Sequence, residues 1–91
     1  MRREKITGVL RQLLAESRIG KAYLFGSFAR GEKKYRDIDI AFDPPPHFSL
    51  LDLSRLGIRI EEKIGKPVDL VTLRSMHPKI KSIVEREMVP I

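Results

Sequence analysis

A chain of 91 residues with 18 Lys+Arg against 12 Asp+Glu, a net charge of +6, reads as one compact domain over residues 1–91 and excludes a multidomain enzyme. It contains no cysteine, which excludes a disulfide scaffold, a thiolate zinc site and a cysteine nucleophile, and fits a reducing, cytoplasmic setting. No apolar run approaches the ~20 residues that span a bilayer, and Met1-Arg2-Arg3-Glu4-Lys5 opens a charged, periodic segment instead of a signal peptide, so no membrane role is expected.

Ile6, Val9, Leu10, Leu13 and Leu14 follow the spacing of one helix face and predict a helix over about residues 3–17. Arg18-Ile19-Gly20 is expected to stop it, with Gly20 taking the left-handed conformation. Lys21-Ala22-Tyr23-Leu24-Phe25 then reads as a short strand, ended by Gly26-Ser27 and a short turn of helix. Residues 37–42 alternate, with Ile38, Ile40 and Phe42 on one face of a strand and Asp37 and Asp39 on the other. Asp43-Pro44-Pro45-Pro46 must leave the sheet as a stiff connector, because proline cannot donate a ladder hydrogen bond. Ser49 with Asp52 resembles a capping pair, and Leu53, Leu56, Ile60 and Ile64 continue at helical spacing to Gly65. After Pro67, residues 68–73 read as a third strand with Asp69 as its only charge. Pro78 suits the first turn of a closing helix whose apolar stripe is Ile80, Ile83, Val84 and Met88. The order is α-β-α-β-α-β-α, an α/β (α+β) domain with helices packed against a short sheet.

Charge is concentrated near the N-terminus: residues 1–36 hold ten Lys/Arg and three Glu, whereas residues 37–91 hold eight basic and nine acidic residues. Such a split suggests either an anionic partner of the first third, be it a nucleotide, a nucleic acid or an acidic protein surface, or simply a solvated charged face. On their strand, Asp37 and Asp39 stand about 6.5–7 Å apart at the α-carbons, close enough for both to reach one hard cation. Magnesium prefers such oxygen ligands and keeps waters and substrate phosphates. Taken alone, an Asp-x-Asp pair is a common feature of exposed strand ends. Gly26-Ser27, with Gly31 four residues on, makes a turn in which backbone amides and a hydroxyl can approach a phosphate. Arg30, Lys33, Lys34 and Arg36 lie between this turn and the carboxylates, so anion-binding and cation-binding groups converge on one end of the sheet. Arg36 could contact a phosphate or pair with a carboxylate.

The remaining polar residues read as structural. His47 belongs to the connector and His77, beside Pro78, to a helix cap. Ser17, Ser54, Ser75 and Ser82 show no hydrolase pattern. Tyr23 is expected to pack and Tyr35 to be exposed.

The run Leu24-Phe25-Gly26-Ser27-Phe28-Ala29-Arg30-Gly31 followed by Asp37-Ile38-Asp39-Ile40 resembles the signature of the nucleotidyltransferase superfamily related to DNA polymerase beta, in its minimal form. The likeness runs from about Leu13 to Met88 and implies a mixed sheet. It implies that Gly26 and Ser27 bind a nucleoside triphosphate, with Arg30 and Arg36 beside them. It also implies that Asp37 and Asp39 hold two magnesium ions, and that Asp69 is the third metal ligand and activates the attacking hydroxyl. The implied reaction moves AMP from ATP to a hydroxyl. Members of this size resemble antitoxins whose partner is a helical HEPN-domain toxin, which suggests a tyrosine of that toxin as acceptor. The chain departs from many minimal members in having Arg36 where they carry a serine and in its shorter connection Glu32-Lys33-Lys34-Tyr35. An alternative is therefore a catalytically weak nucleotide-binding protein that neutralises its partner by binding. Nucleic-acid binding through the basic third is a less favoured possibility.

Overall fold

A computed structural model describes residues 1–91. The elements are α1 (Arg3–Glu16), β1 (Lys21–Phe25), α2 (Gly26–Ala29), β2 (Ile38–Asp43), α3 (Leu50–Ile64), β3 (Val68–Thr72), a 3-10 turn (Leu73–Ser75), α4 (Pro78–Glu87) and β4 (Val89–Pro90). The four strands form one mixed sheet in the order β3-β2-β1-β4. β1 is antiparallel to β2 and to β4, and β2 is parallel to β3. That parallel pair requires a crossover, which α3 supplies.

The helix faces read from the sequence do the packing. Ile6, Leu10, Leu13 and Leu14 of α1 and Leu56, Ile60 and Ile64 of α3 meet Leu24, Ile38, Ile40 and Phe42 of the sheet in one core. α3 opens on a complete capping box. The Asp52 amide donates to the Ser49 hydroxyl at 3.1 Å, and the Ser49 amide donates to the Asp52 carboxylate at 2.8 Å. Gly65, at φ 75°, ends the helix in the left-handed region. No helix is long and apolar enough to cross a membrane.

Several expectations are corrected. α1 is stopped by Arg18 at φ 61°, not by Gly20. The Arg18 amide donates to Ala15 and the Ile19 amide to Leu14, the paired bonds of a Schellman motif. Ile19 must turn straight back into the core, so the reversal falls one residue before it. β2 begins at Ile38, leaving Asp37 just ahead of the ladder, and β3 ends at Thr72, whose hydroxyl accepts from the Ser75 amide and starts the 3-10 turn. The stripe of α4 does not pack as a stripe: Val84 is buried, but Ile80 is 55% and Ile83 57% exposed. α1 and α3 already fill the apolar face of the sheet, so α4 lies beside α2 and buries one residue. β4 has no counterpart in the sequence reading. It pairs Val89 with Leu24 and Pro90 with Tyr23, an edge position that tolerates proline, and the Ile91 amide donates to Ala22 at 3.0 Å.

Candidate active site

The candidate site is built where β1 ends, β2 begins and β3 runs alongside. Phe25 closes β1, and Gly26, at φ +76°, swings the chain into α2, whose buried Phe28 anchors it to the core. Only glycine serves at this turn. A side chain would be strained at that φ, and a Cβ would overlap the carboxylate of Asp39. The turn and Asp39 are therefore in van der Waals contact.

The ladder explains why Asp39 is there: it is the register partner of Phe25 on one side and of Asp69 on the other. Asp39 is half-buried, while Asp37 and Asp69 are exposed. Burial pushes the Asp39 carboxyl above its ordinary range, Asp69 and then Asp37 add repulsion, and Arg30 opposes them. Asp69 and Asp37 thus both bear on Asp39, and Arg30 acts on the same carboxylate with the opposite sign. No three acidic or histidine side chains are gathered at chelating spacing. Closure on a cation would need rotamer changes. The donor set nevertheless fits magnesium, since the carboxylates are hard oxygen ligands and the half-buried one carries a charge its neighbours disfavour.

Arg30 is held in place by carboxylates. Its Nε donates to Glu32 at 2.7 Å, and Nη1 donates to Glu87, at the end of α4, at 3.2 Å. Lys33, Lys34 and Arg36 are exposed and enter no ion pair. Of the two roles open to Arg36, pairing with a carboxylate is not the one adopted. Ser27 is half-buried in the first turn of α2. His77 caps α4, its Nδ1 accepting from the Lys79 amide at 3.2 Å, and His47 is an exposed loop residue at φ 64°. A groove of about 370 Å3, lined in part by His47, Phe48, Arg55 and Arg59, includes none of these carboxylates or turn residues.

Tyr35 is half-buried, contrary to expectation. Its ring stands edge-on to Phe28 at 4.8 Å, with the Arg3 guanidinium 5.1 Å from its centre and the Lys66 ammonium 5.3 Å away. The partners Arg3 and Glu87 escaped sequence reasoning. Arg3 lies 25 residues from Phe28 and Glu87 lies 57 from Arg30, and no spacing rule links residues that far apart.

Known proteins match this chain over nearly its whole length. The model of the nucleotidyltransferase domain family matches residues 3–91. A Methanocaldococcus jannaschii protein named as a candidate protein adenylyltransferase is 41% identical over 80 residues, which span 87% of this chain and 86% of that protein. Among solved structures, one described as a candidate minimal nucleotidyltransferase superimposes with a TM-score of 0.84 at 32% identity, covering 100% of this chain and 97% of the other. A chain from a toxin–antitoxin structure with AMP-PNP superimposes with a TM-score of 0.77 at 26% identity, covering 99% of this chain and 72% of its own.

Proposed function

The chain belongs to the nucleotidyltransferase domain family, and from that membership we propose that it moves AMP from ATP to a hydroxyl of a protein partner, a tyrosine of a HEPN-type toxin, and so acts as an antitoxin. The observation that carries this is the placement of Asp39 between the glycine turn at Gly26 and the facing carboxylate of Asp69. On this reading a triphosphate site and the three carboxylates would share one end of the sheet. The likeness to relatives named for protein adenylyl transfer supports the reaction class, and the likeness to a chain from a toxin–antitoxin structure with AMP-PNP supports the nucleotide and the partner class.

In this proposal Gly26 admits the triphosphate against the backbone, the Ser27 hydroxyl and Arg30 bind its oxygens, and Arg36 adds positive charge at the exposed edge. The acceptor oxygen attacks the α-phosphorus, the bond to the β-phosphate breaks, pyrophosphate leaves, and the hydroxyl proton passes to Asp69. Asp37, Asp39 and Asp69 would hold magnesium, which when bound supplies neutralisation of the phosphate charge. Positioning and charge compensation carry most of such a reaction, and no covalent enzyme intermediate is required.

A second possibility is neutralisation by binding alone. It is favoured by the engagement of Arg30 with Glu32 and Glu87 and by the ungathered carboxylates. One experiment separates the two: α-labelled ATP and magnesium are supplied to the chain with a co-expressed HEPN-type partner, comparing wild type with Asp39→Ala. Label on the partner with wild type alone supports transfer. Neutralisation by both proteins without label would leave the binding function in its place.

A further inference from the structure

We propose that Arg3, the first residue of α1, is a positioning residue that orders the phosphate-binding segment and thereby sets nucleotide affinity; this rests on the placement of the nucleotide at the Gly26 end of the sheet. The guanidinium makes four contacts with a segment far along the chain. Nη1 donates to the Phe28 carbonyl at 2.6 Å, and Nη2 donates to the Glu32 carbonyl. The same group lies 4.5 Å from the centre of the Phe28 ring and 5.1 Å from that of Tyr35.

These contacts fall at the turn after α2 and at the start of a stretch that makes no backbone bonds of its own. After Gly26 the chain closes the short α2 and turns through Gly31 at φ +79°, and its last internal bond runs from the Glu32 amide to Ser27. Beyond Glu32, the next backbone amide to donate is that of Ile38, to Pro67. Residues 33–37 therefore connect the turn to the carboxylates without a ladder of their own. Arg3 braces the near end of that stretch through the carbonyls at 28 and 32 and the rings at 28 and 35, which bracket Arg30.

Arginine is the side chain suited to this work. Its planar fork reaches two carbonyls in different directions while the same cation stays close to two aromatic rings, whereas a lysine ammonium can sit over a ring but has no fork to hold both carbonyls. Loss of Arg3 should leave the core of α1, α3 and the sheet in place, because that core is built from other residues. The cost appears as ordering that the nucleotide must then impose on binding.

The test uses the full chain. Amide hydrogen exchange of residues 26–36 is measured without nucleotide, and the Kd for ATP with magnesium is measured by calorimetry, for wild type, Arg3→Lys, Arg3→Ala and the control Arg11→Lys, whose side chain is exposed and unpaired. Both Arg3 variants should exchange faster across residues 26–36 with unchanged protection in α3, and should weaken ATP binding by about tenfold. Arg11→Lys should match wild type. Millimolar guanidinium chloride should restore ATP affinity to Arg3→Ala, and ammonium chloride should not. Unchanged exchange in Arg3→Lys, or wild-type ATP affinity in that variant, overturns the proposal. If wild type itself binds no ATP, the nucleotide site of the proposed function is lost, and with it the claim on affinity. Exchange then decides alone whether Arg3 orders the segment.

Discussion

Asp39 of β2 and Asp69 of β3 are register partners across a parallel pair, which places their strands about 4.8 Å apart with both carboxylates on the same face of the sheet. The folded chain thus holds two like charges side by side, with Asp37 a third close by, and the half-buried member bears the cost.

The first prediction follows from that cost. The folded-state pKa of Asp39 is raised, so the stability associated with it is fully present below the unfolded-state pKa and lost as pH rises through the folded one. Asp39→Asn should therefore raise the Tm by a few degrees at neutral pH in the absence of divalent cation and leave it unchanged in acid. Magnesium should raise the Tm of wild type and have little effect on the variant. A magnesium-independent wild-type Tm, followed by calorimetry, would show that the carboxylates do not share a cation.

A pair of glycines gives a sharper comparison. Gly26→Ala sets a side chain at φ +76° against the Asp39 carboxylate. It should destabilise the chain by about 1–2 kcal/mol from the backbone conformation alone, and more from the overlap. ATP binding should be lost with it. A Cβ at Gly20 meets nothing within 4 Å and needs no left-handed φ. Gly20→Ala should be neutral or stabilising by about 0.4–1 kcal/mol through the unfolded chain, with ATP affinity intact. Urea unfolding and calorimetric titration check both.

Asp52 carries the opposite pH dependence. The Ser49 backbone amide, and then the Ser49 hydroxyl, hold its carboxyl below the ordinary range. Its contribution is present above the unfolded-state pKa and is lost as pH falls through the folded one. Asp52→Asn should therefore lower stability at neutral pH and approach wild type in acid, a convergence that a series of melts across pH would reveal.

Arg30 shares its guanidinium between Glu32 and Glu87. Both pairs are exposed, so Glu87→Gln should leave stability nearly unchanged. If Arg30 serves the triphosphate, freeing it from Glu87 should tighten ATP binding by up to about fivefold, the scale of an exposed pair. Arg30→Ala should weaken it. Equal affinities in all three proteins would remove Arg30 from the nucleotide site.

The parts of this molecule that the sequence by itself determined are those written in local spacing. The apolar periodicities of α1 and α3, the alternation around Asp39, the Ser49–Asp52 capping box and the glycine turn at Gly26 are all visible within a few residues, because helix and strand geometry repeat over that distance. The candidate carboxylates were legible for the same reason, but their juxtaposition was not: that Asp39 faces Asp69 depends on the parallel register set by the α3 crossover. Only the tertiary structure decided the rest. Arg18 rather than Gly20 ends α1 because Ile19 has a core to enter. Ile80 and Ile83 stay exposed because α1 and α3 had already covered the sheet. β4 exists because the edge of β1 was open to it, Tyr35 packs because Arg3 arrives from the other end of the chain, and Arg30 is held by a glutamate 57 residues away. Periodicity carries the direction in which a side chain points, whereas the partner it finds is fixed by chain reversals that close over tens of residues and leave no mark on any short window of sequence.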